Sequence, residues 1–156
     1  MGLERYQAKW QAPFAVLGIG TSGDLLTDIE YLPVGAPTLA PLDRLAERVC
    51  RQLERYVDDP AYRFDLPFDY RGTEFQCKVW RAIVSIPPGS TRSYSQIARL
   101  LRTAPRAVGN ACGANRLPIV IPCHRVVGAR GLGGFMRSRD GFPLDIKKWL
   151  LEHEGG

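Results

Sequence analysis

Apolar and polar positions fall into two kinds of pattern along this chain. Between Phe14 and Leu32, "FAVLGIGTSGDLLTDIEYL" holds apolar runs on either side of Thr21-Ser22-Gly23-Asp24. Runs bounded by such turn formers predict two strands joined by a turn. "PVGAPTLAP" predicts a loop. From Leu42 to Val57 the period changes: Leu42, Leu45, Val49, Leu53 and Tyr56 share a helical spacing with charged residues opposite, which predicts an amphipathic helix. "DDPAY" stops it, and the irregular "RFDLPFDY" predicts a linker or an edge strand. A domain boundary is therefore expected near Tyr70, separating residues 1–70 from residues 71–156.

Beyond that boundary the pattern is mostly helical. In "GTEFQCKVWRAIVSIPPG", Thr73 and Gln76 have the spacing of a capping box, and Phe75, Val79, Ile83 and Ile86 form an apolar stripe. Pro87-Pro88-Gly89 stops the helix. "TRSYSQIARLL" repeats the device, with Ser93 as cap, Gln96 three positions on and Tyr94 as the first helical residue. Pro105 suits the first turn of the next helix, "PRAVGNACGAN". Two short helices about three residues apart predict a helix-turn-helix. The second helix carries little bulk: Ala107, Gly109, Ala111, Gly113 and Ala114. Each glycine weakens a helix by about 1 kcal/mol. Close approach should compensate, either to a nucleic-acid groove or to the protein's own core. Arg106 lies near the N-terminus of this helix, where such a motif points side chains at DNA.

"LPIVI", Leu117 to Ile121, predicts a short buried strand. Pro122 ends it and leaves Cys123 in a turn, where reactive side chains are commonly exposed. "PLDIKKWLLEHEGG" predicts a helix in which Ile146, Leu150 and Glu154 share one face. The carboxylate of Glu154 is then in line with a core-facing stripe, at a helix end whose dipole disfavours an anion. Either it frays into solvent or it has a partner.

Charge sharpens this picture. Residues 1–70 carry 7 basic and 11 acidic side chains, a net of −4, whereas residues 71–156 carry 14 and 5, a net of +9. That asymmetry points to a polyanion partner for the second half, or to a solvated basic surface. No apolar stretch approaches the 18 or more residues of a membrane span, and the charged start "MGLERYQAKW" has no signal-peptide core. Cys50, Cys77, Cys112 and Cys123 form no CxxC and, with two histidines, no zinc-finger spacing. They read as reduced thiols in a cytoplasmic protein, with Cys50 and Cys77 as buried apolar residues within helices.

One constellation has chemistry in it. A thiol becomes a nucleophile as its thiolate, and a nearby imidazole favours that form. His124 adjoins Cys123 in "IPCHRVV". Adjacent side chains diverge in a strand, so contact needs a turn or an intervening water. A carboxylate on the other ring nitrogen would fix the tautomer and raise the basicity, and Glu154 is a candidate. Arg125 is expected to anchor the turn.

"IPCHRVV" resembles the active-site motif of the O6-alkylguanine-DNA alkyltransferases. The resemblance extends through "GTEFQCKVWRAI", "IPPGSTRSYSQIA", "RAVGNACGAN", "PIVIPCHRVV", "LGGF" and "KKWLLEHE", over residues 71–154, more loosely in the N-terminal part. It implies an α+β fold: a small N-terminal α/β domain of ribonuclease H-like type, then a winged-helix-like domain with the helix-turn-helix. It implies irreversible, single-turnover transfer of an alkyl group from O6-methylguanine, or O4-methylthymine, in double-stranded DNA to Cys123. The base would be flipped out of the duplex. No cofactor and no metal are implied. The protein would be a cytoplasmic monomer, nucleoid-associated in a bacterium, with no membrane partner.

Carried over by position, the resemblance has His124 deprotonate Cys123 through a water, Glu154 polarise His124, and Tyr94 donate to the departing guanine. Arg106 would enter the base stack. Thr91, Ser93, Ala107, Asn110, Gly113 and Ala114 would lie at the DNA, while Asn115 braces the turn. Pro118, Val126, Phe135 and Met136 would shape the pocket. Three departures stand out. The Tyr94–Arg106 link is about two residues shorter than is usual in the family, Asn115 is followed by Arg116 rather than proline, and Met136-Arg137 replace smaller residues. The last implies a narrower pocket favouring methyl over benzyl lesions. The alternative is a sensor of alkylated bases that performs no transfer; such relatives replace the reactive cysteine, which is present here. A thiol hydrolase built on Cys123, His124 and Glu154 leaves the basic helix pair unexplained.

Overall fold

A computed structural model describes residues 5–128 and 141–155. The chain divides into two compact units, residues 1–69 and residues 70–156.

The first unit is a three-stranded antiparallel sheet with one helix. Strands β1 (Ala8–Gln11), β2 (Val16–Ser22) and β3 (Leu25–Leu32) lie in the order β1-β2-β3. The expected hairpin closes between Ser22 and Leu25, and Gly23 takes φ 61° in its turn, a conformation glycine adopts without steric penalty. β1 was not anticipated: four residues, "AKWQ", with only Ala8 fully buried, carry too weak a signal. Helix α1 (Arg44–Asp58) is capped by the side chain of Asp43, which accepts from the Ala46 N–H at 2.7 Å. It starts two residues later than Leu42, which is 59% exposed and outside the stripe. Ala46, Val49, Leu53 and Tyr56 bury that stripe within the core that Leu17, Ile19, Leu26 and Ile29 build from the sheet.

The second unit is α2 (Glu74–Val84), β4 (Arg92–Ser93), α3 (Tyr94–Leu101), α4 (Pro105–Gly113), a 3-10 turn over Cys123–Arg125, β5 (Val126–Val127) and α5 (Gly141–His153). Both capping boxes form. Thr73 and Ser93 accept from the backbone N–H of Gln76 and Gln96, whose side chains return the bond. Between α3 and α4, Arg102 ends its helix in the left-handed region at φ 57°, and Pro105 opens the next as expected. β4 and β5 pair in parallel over two residues. Val79, Ile83, Ile97, Val108, Ile146 and Leu150 fill the core.

One expectation fails. Leu117–Ile121 is not a strand but a tight turn, in which the Ile121 N–H donates to the Leu117 carbonyl at 2.8 Å. Ile119 sits at φ 75°, and Pro118 bridges Ile121. Asn115 imposes this shape: its Oδ1 accepts from the Leu117 N–H at 2.9 Å and its Nδ2 donates to the Ile121 carbonyl at 2.9 Å. An apolar, β-branched run reads as a strand, but here a neighbouring amide binds both ends of it.

Candidate active site

Pro122 and the 3-10 turn set Cys123, His124 and Arg125 side by side, all three buried. Cys123 is 3% exposed, more enclosed than a residue expected at an open turn. Its Sγ accepts from Asn115 Nδ2 at 3.3 Å. The thiol is pushed well above its ordinary pKa, first by a hydrogen bond with the Cys112 thiol and then by burial, while Asn115 and the Lys147 ammonium pull the other way. In this state Cys123 is a protonated thiol, and a base must take its proton before it can act.

His124 can be that base. Its Nε2 lies 2.8 Å from Glu154 Oε2, with both side chains essentially out of solvent. Burial lowers its pKa against the opposing pull of Glu154, so the ring is neutral. A neutral ring donating from Nε2 to a carboxylate leaves a lone pair on Nδ1. Nδ1 is buried and has no hydrogen-bond partner among the described residues.

Glu154 is held and not frayed. Arg125 Nε meets its Oε1 and Arg125 Nη2 its Oε2, each at 2.9 Å, a bidentate grip. Arg125 Nη1 donates to the Ile86 carbonyl at 2.8 Å, tying the turn to the end of α2. The expected anchoring role of Arg125 therefore has a concrete form.

Two neighbours carried no sequence signal. Lys147, on α5 and fully buried, donates from Nζ to the Val126 carbonyl at 2.8 Å and lies 5.6 Å from the centre of the Tyr94 ring. Burial lowers its pKa to about 8, so it remains largely charged at neutral pH. Cys112, near the end of α4, is the largest cause of the raised Cys123 pKa. Only the fold reveals which way a lysine or a cysteine faces. Tyr94 is pushed up by burial, then by the two cysteines, and keeps its phenolic proton at neutral pH.

The helix pair divides by face. Val108 and Ala111 are buried, and Trp80 Nε1 donates to the Ala111 carbonyl at 2.9 Å, locking α4 to α2. Arg106 and Asn110 are exposed, and Ala107, Gly113 and Ala114 half-buried. Small residues thus serve the core at Ala111 and an open surface at the others. A Cβ at Gly109 would reach only to 4.0 Å from the Tyr94 ring, so the core does not demand glycine there. Thr91 is half-buried, and Ser93 spends its hydroxyl on the α3 cap. Pro118 and Val126 are buried beside the Cys123–Arg125 turn. Phe135, Met136 and Arg137 lie outside the described residues. Cys50 is buried as expected, whereas Cys77 is only half so. No cluster of three or more metal-ligating side chains occurs among the described residues.

Fold and site define a class: a two-unit α+β protein whose second unit carries a short basic helix pair and a buried cysteine followed by a histidine that a carboxylate holds. Residues 74–156 match the family model described as 6-O-methylguanine DNA methyltransferase, DNA binding domain. The methylated-DNA–protein-cysteine methyltransferase of Candida albicans is 36% identical over 150 residues, spanning 91% of this chain and 83% of that protein. The Archaeoglobus fulgidus protein of the same name is 43% identical over 106 residues, 67% of this chain and 72% of its own. Among solved structures, Mycobacterium tuberculosis OGT in complex with DNA aligns with a TM-score of 0.77 and 36% identity, over 94% of this chain and 90% of that one. This chain belongs to the 6-O-methylguanine DNA methyltransferase family.

Proposed function

We propose that this protein repairs duplex DNA directly, Cys123 taking the alkyl group from O6 of an alkylated guanine. The observation that carries this reading is a buried thiol next in sequence to a neutral, carboxylate-held imidazole whose other nitrogen is unsatisfied. His124 Nδ1 draws the Cys123 proton, directly or through one water. The thiolate attacks the alkyl carbon in line, the S–C bond forms and the C–O bond breaks. The guanine leaves as its anion, and Tyr94, kept protonated by its surroundings, returns a proton to it. The thioether has no route back to a thiol, so each molecule acts once.

DNA meets the exposed face of α4. Arg106 fills the gap left by the extruded base, and Asn110, Ala107, Gly113 and Ala114 allow the backbone close to the groove, with Thr91 and Ser93 at the edge. Contacts mainly to phosphate make binding salt-dependent and weakly sequence-specific. Asn115, Pro118 and Val126 shape the pocket. The sheet-and-helix first unit is read as a trimmed ribonuclease H-like domain, and α3, α4 and the β4–β5 pair as a reduced winged helix. Such a protein works as a monomer beside cytoplasmic or nucleoid DNA.

The test is intact mass and peptide mapping after mixing with duplex DNA carrying O6-methylguanine. One methyl group per molecule on Cys123, absent in Cys123→Ala, is expected. Tight binding with no mass gain would instead identify a lesion sensor.

A further inference from the structure

All three nitrogens of the Arg125 guanidinium are spent inside the protein. Nε donates to Glu154 Oε1 and Nη2 to Oε2, each at 2.9 Å, while Nη1 donates to the Ile86 carbonyl at 2.8 Å. Both side chains of the pair are almost wholly buried. A cation so enclosed is costly unless it is fully paired. The bond to Ile86 suffices to hold the turn, so the fork onto Glu154 asks for a further reason. The end of α5 is also seated from a second side, where a Cβ on Gly89 would come within 3.3 Å of the Glu154 carbonyl. Oε2 takes two donors, Arg125 Nη2 at 2.9 Å and His124 Nε2 at 2.8 Å. A guanidinium can only donate, so each oxygen it touches must accept. With Oε2 held as an acceptor, the ring must bring a hydrogen to it. The proton is therefore on Nε2 and the lone pair on Nδ1, which is buried and has no hydrogen-bond partner among the described residues. The charged groups that act on this ring are Glu154 at the end of α5, Arg125 in its own turn and Lys147 on α5. Both cations oppose a second proton on the ring, and Arg125 in addition grips its carboxylate.

We propose that Arg125 is a positioning residue for proton removal from Cys123: its fork fixes both oxygens of Glu154 as acceptors and so holds His124 in the tautomer whose Nδ1 is bare. The thiol proton passes to Nδ1, directly or through one water, and the guanidinium itself neither gives nor takes a proton. The role rests on the proposed function only in naming Cys123 as the source of that proton. Lysine replaces this group poorly, because an ammonium has no planar fork with which to hold both carboxylate oxygens while reaching a carbonyl.

The test follows the His124 ring by nitrogen-15 NMR in the full, unreacted chain, with His153→Gln to tell the two histidines apart, beside the pH–rate profile of methyl transfer. Wild-type protein at neutral pH should show Nε2 protonated and Nδ1 bare. In Arg125→Met the ring should take its second proton about one pH unit higher. The rising limb of the pH–rate profile should move up with it, because a protonated Nδ1 accepts nothing, and transfer at neutral pH should slow at least about 10-fold. Arg125→Lys should move both in the same direction by less. An anchor for the turn and nothing more would lower Tm and leave the ring titration in place. A ring protonated on Nδ1 in wild-type protein at neutral pH overturns the proposal without any variant. So do a ring titration and a profile that match the wild type in both variants, or in Arg125→Lys where Arg125→Met does not fold. A ring that behaves as expected in a protein that transfers no methyl group upholds the role of Arg125 and removes the alkyl-transfer reading.

Discussion

His124 Nε2 and Glu154 Oε2 meet at 2.8 Å across 30 residues of chain, and Arg125 grips the same carboxylate with two nitrogens. One anion therefore serves an imidazole that must stay neutral and a guanidinium that cannot. Glu154→Gln leaves the Arg125 charge buried without a counter-ion. It should cost about 3–5 kcal/mol of stability in urea unfolding. Methyl transfer should slow by about 100-fold as His124 loses its orienting partner. An unchanged transfer rate would remove Glu154 from the mechanism.

Stability should fall in mild acid. His124 has a folded pKa below its unfolded value of about 6.5, so the unfolded chain binds the proton more readily. The contribution is complete above about pH 6.5 and is lost as pH falls toward the folded pKa, with a slope of at most about 1.4 kcal/mol per pH unit. Unfolding free energies between pH 7.5 and 5 should show this slope, flattened in His124→Asn; an identical slope in the variant would place its origin elsewhere.

Lys147→Met should shift the reaction without unfolding the protein. Burial opposes this ammonium, which limits what its loss costs, yet it helps hold the Cys123 thiolate. The pH–rate profile of methyl transfer should move to higher pH, and Lys147→Arg should restore part of it. A profile superimposable on that of the wild type would contradict the assignment.

Arg106→Ala removes an exposed side chain, and stability should change by less than about 0.5 kcal/mol. Affinity for duplex DNA should drop, with the slope of log affinity against log salt shallower by about 1 if a phosphate contact is lost. Alkylation of Cys123 by iodoacetamide should proceed as before. Unaltered DNA affinity would mean that α4 does not face the duplex.

Trp80→Phe keeps an aromatic ring but loses the pyrrole part of the indole, and with it the donor to the Ala111 carbonyl, a buried bond. The lost bond and the lost side-chain volume should together cost about 1–3 kcal/mol, with the Ala111 carbonyl still accepting from the Ala114 N–H at 3.2 Å. Thermal unfolding tests this, and a Tm equal to that of the wild type would show that α4 is held by other contacts.

What the sequence reveals here follows the range of the interactions. Thr73, Ser93 and Pro105 announce their helices because caps are settled within one turn of chain. Glu154 could be flagged from its spacing alone: four residues beyond Leu150, it had to be either exposed or partnered, and only the fold decides for the partner. The run Leu117–Ile121 reads as a strand yet forms a turn because Asn115, not the run's own propensity, sets its shape. Cys112 and Lys147 escaped notice because their direction depends on how α4 and α5 dock. The pocket expected around Met136 lies outside the described residues.

The capping boxes at Thr73 and Ser93 close over three residues, whereas the imidazole and its carboxylate are separated by 30. Local contacts form fast and distant ones late. The helix caps are thus satisfied within their own turns, whereas the base is complete only once α5 has docked on the Cys123–Arg125 turn. Any opening that releases α5 separates Glu154 from His124 and Arg125, even where the other helices persist. Competence to react is then a property of the completed fold, and a half-folded chain carries an ordinary, unactivated cysteine.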